Sequence, residues 1–187
     1  MCGRYALYSS EKLKSKFNTN IKKNFNISPN QKVTILNNNK KIKTINWGIK
    51  PNWKKTSIIN ARFETLTAKK SFSNTMKCVF IVDGYYEWRR SGRYKIPFYH
   101  FISDDFLYFA GIYNDTGCCI VTTESFNYLS EVHSRQPYFL KENQIDLWLE
   151  DSKNPITFDK IVNFHQVSSK VNMIWNNSPD LIVEKNC

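Results

Sequence analysis

The first residues of the chain, Met1-Cys2-Gly3-Arg4, contain a group with special chemistry. Methionine aminopeptidases generally remove Met before a small residue, so Cys2 is expected to become the N-terminal residue. It would then carry an amine and a thiol two carbons apart, with ordinary pKa values of about 8 and 8.5. An aldehyde forms an imine with such an amine, and the thiol closes the imine into a thiazolidine. An incidental residue beside the initiator is the alternative, and from position alone the commoner one.

Polar side chains suited to a ligand follow the short apolar run at 58–59. Asn60 can donate its amide to a developing oxyanion or a sugar oxygen, and Arg62 suits a phosphate. The alternative is an ordinary helix start, in which Asn60 is the cap and Arg62 is a solvated charge of the first turn.

Two residues are candidates for proton transfer. Glu87 lies among aromatic residues at the end of the most apolar run, where burial would raise its pKa as a general acid or base requires. Strand alternation puts Tyr85 and Glu87 on one face, and a solvent-facing Glu87 fits the sequence equally well. His133 begins the run His-Ser-Arg-Gln-Pro and is the best placed imidazole, although a lone His is usually structural.

Two tryptophans, Trp47 and Trp53, flank a turn from Gly48 to Pro51. An exposed Trp there would stack on a nucleobase, whereas a core Trp is the default interpretation.

The elements that position these residues are mainly strands. Runs of β-branched and aromatic residues, separated by turn residues, predict a meander of antiparallel strands at 33–37, 42–49, 78–87, 93–102, 105–113 and 117–123. Helices are predicted from a Ser10 cap through Leu13 and Phe17, over 142–150, and after Arg62 with Phe63, Leu66 and Phe72 inward. The expected fold class is α+β: a curled or barrel-like antiparallel β-sheet with a few helices packed outside.

Composition narrows the function classes. A chain of 187 residues suits one domain over 1–187, which would remove ~70% of the unfolded surface from water. The longest apolar stretches are a few residues and the N-terminus lacks a secretory pattern, so we expect no membrane insertion and an intracellular location. The net charge of +11 favours a polyanionic partner. Five Cys without a CxxC pair argue against a disulfide framework or zinc site, and neither metal nor cofactor is expected.

Taken together and in order, these stretches resemble the SOS-response-associated peptidase (SRAP) family, whose members shield abasic sites in single-stranded DNA by covalent attachment. The matching stretches are Cys2-Gly3-Arg4-Tyr5, Asn26-Ile27-Ser28-Pro29, Trp47-Gly48-Ile49-Lys50-Pro51, Asn60-Ala61-Arg62-Phe63-Glu64-Thr65, Asp83-Gly84-Tyr85-Tyr86-Glu87-Trp88, Phe109-Ala110-Gly111-Ile112, Val121-Thr122-Thr123, His133-Ser134-Arg135-Gln136-Pro137 and Val167-Ser168.

The resemblance implies a role for each candidate residue. It makes Cys2 the crosslinking residue and places Asn60, Glu87 and His133 at the other active-site positions. It sets the DNA contacts as follows: Arg4, Arg62 and Arg135 along the phosphates, and Trp53 near a base-stacking wedge. Gln136 departs from the family's usual Met or Arg before the proline, and the connections after Asn37 and Thr116 look short, so local DNA contacts are in doubt.

The implied function is that of an abasic-site sensor and shield, a monomer on single-stranded DNA, that links Cys2 to the lesion through a thiazolidine. Weak lyase activity by β-elimination is compatible with an unclosed imine. Two alternatives remain open: a thiol peptidase limited to removing its own first residue, and a non-covalent single-stranded DNA-binding module.

Overall fold

A computed structural model of the protein describes residues 2–53, 55–126, 128–150 and 157–185. The strands in these residues are β1 (Tyr5–Leu7), β2 (Asn24–Ile27), β3 (Lys32–Leu36), β4 (Ile42–Asn46), β5 (Asn60–Arg62), β6 (Met76–Val82), β7 (Gly84–Ser91), β8 (Tyr94–Phe101), β9 (Leu107–Asn114), β10 (Gly117–Glu124), β11 (Arg135–Pro137), β12 (Phe139–Leu140) and β13 (Asn163–Gln166). The α-helices are α1 (Ser10–Phe17) and α2 (Ile145–Leu149). Across the described ranges, no helix is long and apolar enough to cross a lipid bilayer.

The strands form two sheets. The smaller has the order β13-β8-β7-β1-β2, and the larger has the order β11-β10-β9-β6-β3-β4, with β12 added beside β9 and β5 beside β10. Pairing is antiparallel except between β5 and β10, which run parallel. The expected α+β class with curled antiparallel sheet and few helices is confirmed, and neither sheet closes on itself.

The predicted strand 78–87 is two strands in different sheets, because the chain crosses between the sheets at Asp83. The Asp83 carboxylate accepts hydrogen bonds from the backbone N–H groups of Tyr8 and Ser9, at 2.5 and 2.9 Å. A Cβ on Gly84 would lie 2.5 Å from the carbonyl oxygen of His100. The Asp83-Gly84 dipeptide is a turn signal, but the buried residues on both sides of it made a single strand the prediction.

The core has two clusters, one on each face of the smaller sheet. The larger contains Tyr85 together with residues of both sheets, and the smaller contains Tyr86 packed under the C-terminal segment. Successive side chains of a strand point to opposite faces. Glu87 therefore shares the interior face with Tyr85, and it does not point to solvent, since only 4% of its surface is exposed.

The helix predictions are partly confirmed. Helix α1 begins at Ser10, and Ser9 rather than Ser10 is its cap. The predicted helix 142–150 is a 3₁₀ turn, Glu142–Gln144, that continues into α2.

The predicted helix after Arg62 is wrong, because this segment forms only two short 3₁₀ turns, Phe63–Thr65 and Lys70–Phe72. Pairing of β5 with β10 keeps the preceding chain extended. Phe72 is buried in the core and Leu66 packs against it partly buried, as predicted. Phe63 was expected to point inward, but it stays 43% exposed and stacks on Tyr138, with 4.5 Å between the ring centroids.

Gly84→Ala is expected to lower the free energy of unfolding by about 2 kcal/mol or more, because the added methyl group meets backbone that cannot move aside. Gly92→Ala is the matched control: its φ of +57° is unfavourable for Ala, but nothing lies within 4 Å of the added carbon, so the cost is about 1 kcal/mol. Urea unfolding of both variants checks the order, and equal losses would contradict the crowding at Gly84.

Candidate active site

The start of the chain is held by strand β5. The side-chain amide of Asn60 donates a hydrogen bond to the carbonyl oxygen of Cys2, with the two atoms 2.9 Å apart. Asn60 is placed by parallel pairing with Ile120, and the N–H of Ile120 donates to the carbonyl of Ile59 at 3.1 Å. The amide therefore holds the backbone of Cys2 in place, and Asn60 does not cap a helix.

Cys2 is fully buried in the larger core cluster. Its thiol donates to the carbonyl oxygen of Arg4, at an Sγ to O distance of 3.8 Å. Burial raises the pKa of the Cys2 thiol well above its usual range, and the negative charge of Glu87 raises it further. The sequence carries Met1 ahead of Cys2, so this is the state of the unprocessed protein. The thiol is then neutral and out of contact with solvent, which does not match the accessible amino-thiol that the sequence chemistry requires.

Glu87 is the carboxyl group whose charge acts on the Cys2 thiol. It lies on β7, where burial raises its pKa above the ordinary value and the charge of His133 acts in the opposite direction. A carboxyl group with a raised pKa keeps its proton at a higher pH, as a general acid in a buried site requires.

His133 is oriented by its own chain. It lies between the turn Leu129–Glu131 and β11, and its carbonyl oxygen accepts a hydrogen bond from the hydroxyl of Ser125 at 2.7 Å. The backbone N–H of Arg135 donates to His133 Nδ1 at 3.0 Å. Nδ1 also lies 3.2 Å from the carbonyl oxygen of Arg135. Both contacts of Nδ1 are with the backbone of Arg135, which holds the ring in place.

Two of the predicted phosphate-binding arginines are engaged inside the protein. Arg4 is half-buried, and its guanidinium donates to Asn26 Oδ1 at 2.7 Å and to the carbonyl oxygen of Val171 at 2.6 Å. Burial lowers the pKa of Arg4. These bonds tie β1 to the C-terminal segment.

The guanidinium of Arg135 makes two hydrogen bonds to the Glu64 carboxylate, at 2.7 and 2.9 Å, and a third to the carbonyl oxygen of Thr122 at 2.7 Å. Only 13% of the Arg135 side chain is exposed. The two hydrogen bonds to Glu64 join β11 to the turn after β5, close to His133. In the sequence, Glu64 and Arg135 lie in separate polar runs, and nothing in the sequence indicates that they are in contact.

Arg62 and Trp53 are on the surface, unlike the other two predicted DNA contacts. Trp53 is 69% exposed and lines an open groove of about 470 Å³, together with Lys50, Lys70 and Thr116 among others. The backbone N–H of Lys50 donates to the hydroxyl of Thr116 at 3.0 Å, so the turn between β9 and β10 supports this groove.

The sequence interpretation missed the importance of Asn26. This side chain is buried and donates to three carbonyl oxygens of the C-terminal segment, those of Val171, Met173 and Asn176, at 3.3, 3.0 and 2.7 Å. Its signal was an Asn that stands between two apolar residues, Phe25 and Ile27, in β2. Gln136 is likewise buried and accepts a hydrogen bond from the N–H of Phe126 at 2.8 Å, so it is a packing position rather than part of an exposed DNA surface.

Within the described ranges, no three His, Cys, Asp or Glu side chains are grouped to hold a metal ion. Four cysteines of these ranges, Cys2, Cys78, Cys118 and Cys119, are buried free thiols. Burial raises the pKa of each.

Glu64→Gln is expected to remove the charge from the Arg135 pair. Hydrogen bonding to Arg135 lowers the pKa of Glu64, so the pair stabilises the fold above the ordinary Glu pKa of about 4.3 and this contribution is lost as the pH falls through the folded value. Because Glu64 is partly exposed, the expected loss at pH 7 is about 0.5–1 kcal/mol. Urea unfolding at pH 7 and pH 3 checks it; a difference from the parent chain that does not shrink at pH 3 would contradict it.

Comparison with known proteins gives one consistent result. Abasic site processing protein YoqW of Bacillus subtilis (strain 168) is 31% identical over 222 residues, covering 97% of this chain and 99% of the relative. Abasic site processing protein YedK of Escherichia coli (strain K12) is 25% identical, covering 84% and 83%. A crystal structure of a Bacteroides thetaiotaomicron protein matches with a TM-score of 0.83 at 20% identity, over 99% of this chain and 100% of that one, which shows a shared fold.

A sequence profile of the SOS response associated peptidase (SRAP) family matches residues 1–174. The chain therefore belongs to the SRAP family.

Proposed function

We propose that this chain processes abasic sites in DNA by forming a covalent bond between Cys2 and the lesion. The observation that carries the proposal is the hydrogen bond from Asn60 to the Cys2 carbonyl, with the charge of Glu87 acting on the Cys2 thiol. The similarity to proteins named for abasic site processing supports the same substrate.

Removal of Met1 comes first, because it turns the amide nitrogen of Cys2 into an amine. An abasic deoxyribose opens to an aldehyde, and the amine adds to its carbonyl carbon to form a carbinolamine. Glu87, whose raised pKa favours the protonated form, then donates a proton to the departing hydroxyl group, which leaves as water. The nitrogen then returns its proton to the Glu87 carboxylate, and the product is an imine between Cys2 and carbon 1 of the sugar.

Ring closure follows from the position of the thiol on the same residue. The Cys2 sulfur bonds to the imine carbon, and the proton of the thiol passes to the nitrogen, so the sum of the steps is aldehyde plus amino-thiol giving thiazolidine plus one water. His133 is the group proposed to relay this proton, because its charge acts on Glu87, which places the imidazole beside the site. Asn60 holds the Cys2 backbone throughout.

The proposed partner is single-stranded DNA, because an abasic nucleotide must leave the helical stack to reach a chain terminus. The net charge of +11 supports attraction to phosphates. Arg62 and the exposed ring of Trp53 are proposed DNA contacts, whereas Arg4 and Arg135 act by positioning the site. Such a protein works wherever its DNA substrate is copied.

Two further activities belong to the same site. An imine that does not close can lose the 3′ phosphate by β-elimination, which is a lyase reaction. Peptidase action on the chain's own Met1–Cys2 bond is the second. In that reaction the oxyanion would form on the carbonyl of Met1, whereas Asn60 donates to the carbonyl of Cys2. Asn60 is therefore a poor oxyanion donor for peptidase action.

Cys2→Ala is expected to abolish the DNA crosslink that survives denaturing electrophoresis after incubation with an abasic single-stranded oligonucleotide. The variant keeps the N-terminal amine but lacks the sulfur that closes the ring, so its imine hydrolyses. Cys78→Ala, which removes another buried thiol, is the matched control and retains crosslinking. An N-terminal tag that blocks processing should act like Cys2→Ala, and a normal yield from either would refute Cys2 as the crosslinking residue.

Glu87→Gln is expected to slow crosslink formation by about 10²-fold or more, the usual scale for an acid–base group. It should also stabilise the fold at pH 7, since a buried carboxyl with a raised pKa is easiest to accommodate below its unfolded pKa and becomes costly as the pH rises. Rates and urea unfolding across pH 4–8 test both effects. An unchanged rate would remove Glu87 from the mechanism.

A further inference from the structure

The hairpin of β7 and β8 carries charges that the proposed chemistry does not use. Strand β7 is buried from Gly84 to Glu87 and exposed from Arg89 onward. The exposed part of the hairpin holds four cations, Arg89, Arg90, Arg93 and Lys95, and the sequence has no acidic residue between Glu87 and Asp104. Within residues 2–53, 55–126, 128–150 and 157–185, none of the four forms an ion pair. The exposed end of the hairpin is therefore positively charged, without acidic partners in the described part of the chain, and its first cation, Arg89, lies two residues beyond Glu87.

The strand register divides these residues between two faces. The paired residues are Glu87 with Phe98, Arg89 with Ile96, Arg90 with Lys95, and Ser91 with Tyr94. Directly paired residues project from the same face of a sheet, and successive residues alternate. Arg89 and Tyr94 consequently share the face of Glu87, whereas Arg90 and Lys95 lie on the opposite face.

Both arginines on the Glu87 side lie over aromatic rings. The Arg89 guanidinium is 4.7 Å from the centroid of Phe98, and that of Arg93 is 5.1 Å from the centroid of Tyr94. Arg93 Nη2 also donates to the Tyr94 hydroxyl at 3.0 Å, which places Arg93 on the same side. A guanidinium stacked on a ring keeps N–H groups at its edge for a phosphate. Tyr94 is 62% exposed, so its ring is accessible to a base.

We propose that Arg89, Arg93 and Tyr94, here called the hairpin track, bind the DNA strand on one side of the abasic nucleotide. The inference rests on the proposed function and adds a footprint to it. At about 3.4 Å per residue, the level of Tyr94 lies about 14 Å along β7 from Glu87. A stacked strand advances about 3.4 Å per nucleotide, so the hairpin track reaches about four nucleotides from the lesion. The guanidinium groups bind phosphates and Tyr94 stacks on a base.

The test compares two double variants that remove the same charge from the same hairpin. Arg89→Gln with Arg93→Gln removes the cations of the hairpin track, and Arg90→Gln with Lys95→Gln removes those of the opposite face. The measurement is the rate of crosslink formation on a 21-nucleotide strand with a central abasic site, relative to the rate on a trinucleotide.

The first double variant is expected to lower this ratio at least fivefold, and the second less than twofold. The slope of log affinity against log salt should fall by about 1.4 in the first, since each single-strand phosphate contact contributes about 0.7. Tyr94→Ala should weaken the 21-nucleotide complex at least fivefold, and Tyr94→Phe should keep the stacking. Strands extended on only one side of the lesion should reproduce the effect for one polarity alone. Equal losses in the two double variants, or none, would overturn the hairpin track.

A second measurement separates this inference from the proposed function. Fluorescence anisotropy with a 21-nucleotide strand containing tetrahydrofuran, which lacks the aldehyde, reports binding without chemistry. If the parent chain forms no crosslink with the abasic strand, the proposed function fails, and a difference between the two faces in this assay still supports the hairpin track. If crosslinking occurs and the two double variants bind the analogue equally, the hairpin track fails and the proposed function stands.

Discussion

The crossing of the chain from one sheet to the other at Asp83 and Gly84 is the constraint on which the site depends. Asp83 binds the two backbone N–H groups just before helix α1, and Gly84 leaves room for the backbone of the adjacent strand. These two residues set where β7 begins, and the alternation of β7 then turns Tyr85 and Glu87 into the core. A shift of one residue at the crossing would send Glu87 to the opposite face.

The interior position of Glu87 favours the protonation state that the proposed chemistry needs. A buried carboxyl and a buried thiol both resist ionisation, and the negative charge of Glu87 makes ionisation of the Cys2 thiol harder still. The folded protein is most stable when both groups are neutral. Glu87 must be neutral before it can deliver a proton to the leaving hydroxyl in the proposed reaction. Proteolytic removal of Met1 would create an amine on Cys2. This amine would be a new basic group beside the buried thiol and carboxyl.

Much of the fold was predictable because its signals are local. The longer strand runs separated by turn residues and the start of helix α1 were predicted close to their observed positions. The short strands β1, β2, β5, β11, β12 and β13 were not predicted. A break in the run 78–87 was signalled by Asp83-Gly84, but the change of sheet at this point is revealed only by the strand partners. The segment after Arg62 failed for a related reason: its pattern fits a helix, but parallel pairing of β5 with β10 takes precedence.

For the candidate site, the sequence showed which side chains could do chemistry, but it did not show which residues they contact. Asn60 and Glu87 were recognisable as polar residues in or beside apolar runs, whereas the direction of Glu87 was settled only by the two core clusters. Arg4 and Arg135 were predicted as DNA contacts, and the sequence did not show that their guanidinium groups bind Val171 and Glu64 inside the protein. Pairs of residues that are far apart in the sequence have no characteristic spacing from which their contact could be predicted.

The attachment of the C-terminal segment to Asn26 and Arg4 has a consequence for protein synthesis. A ribosomal product that stopped short of Val171 would leave both polar side chains without their carbonyl partners, in a strand pair that adjoins the first residues of the chain. Buried polar groups without partners destabilise the surrounding structure. Incomplete polypeptides would thus lack an ordered amino terminus, and the proposed covalent reaction would become possible only after Val171 had been synthesised.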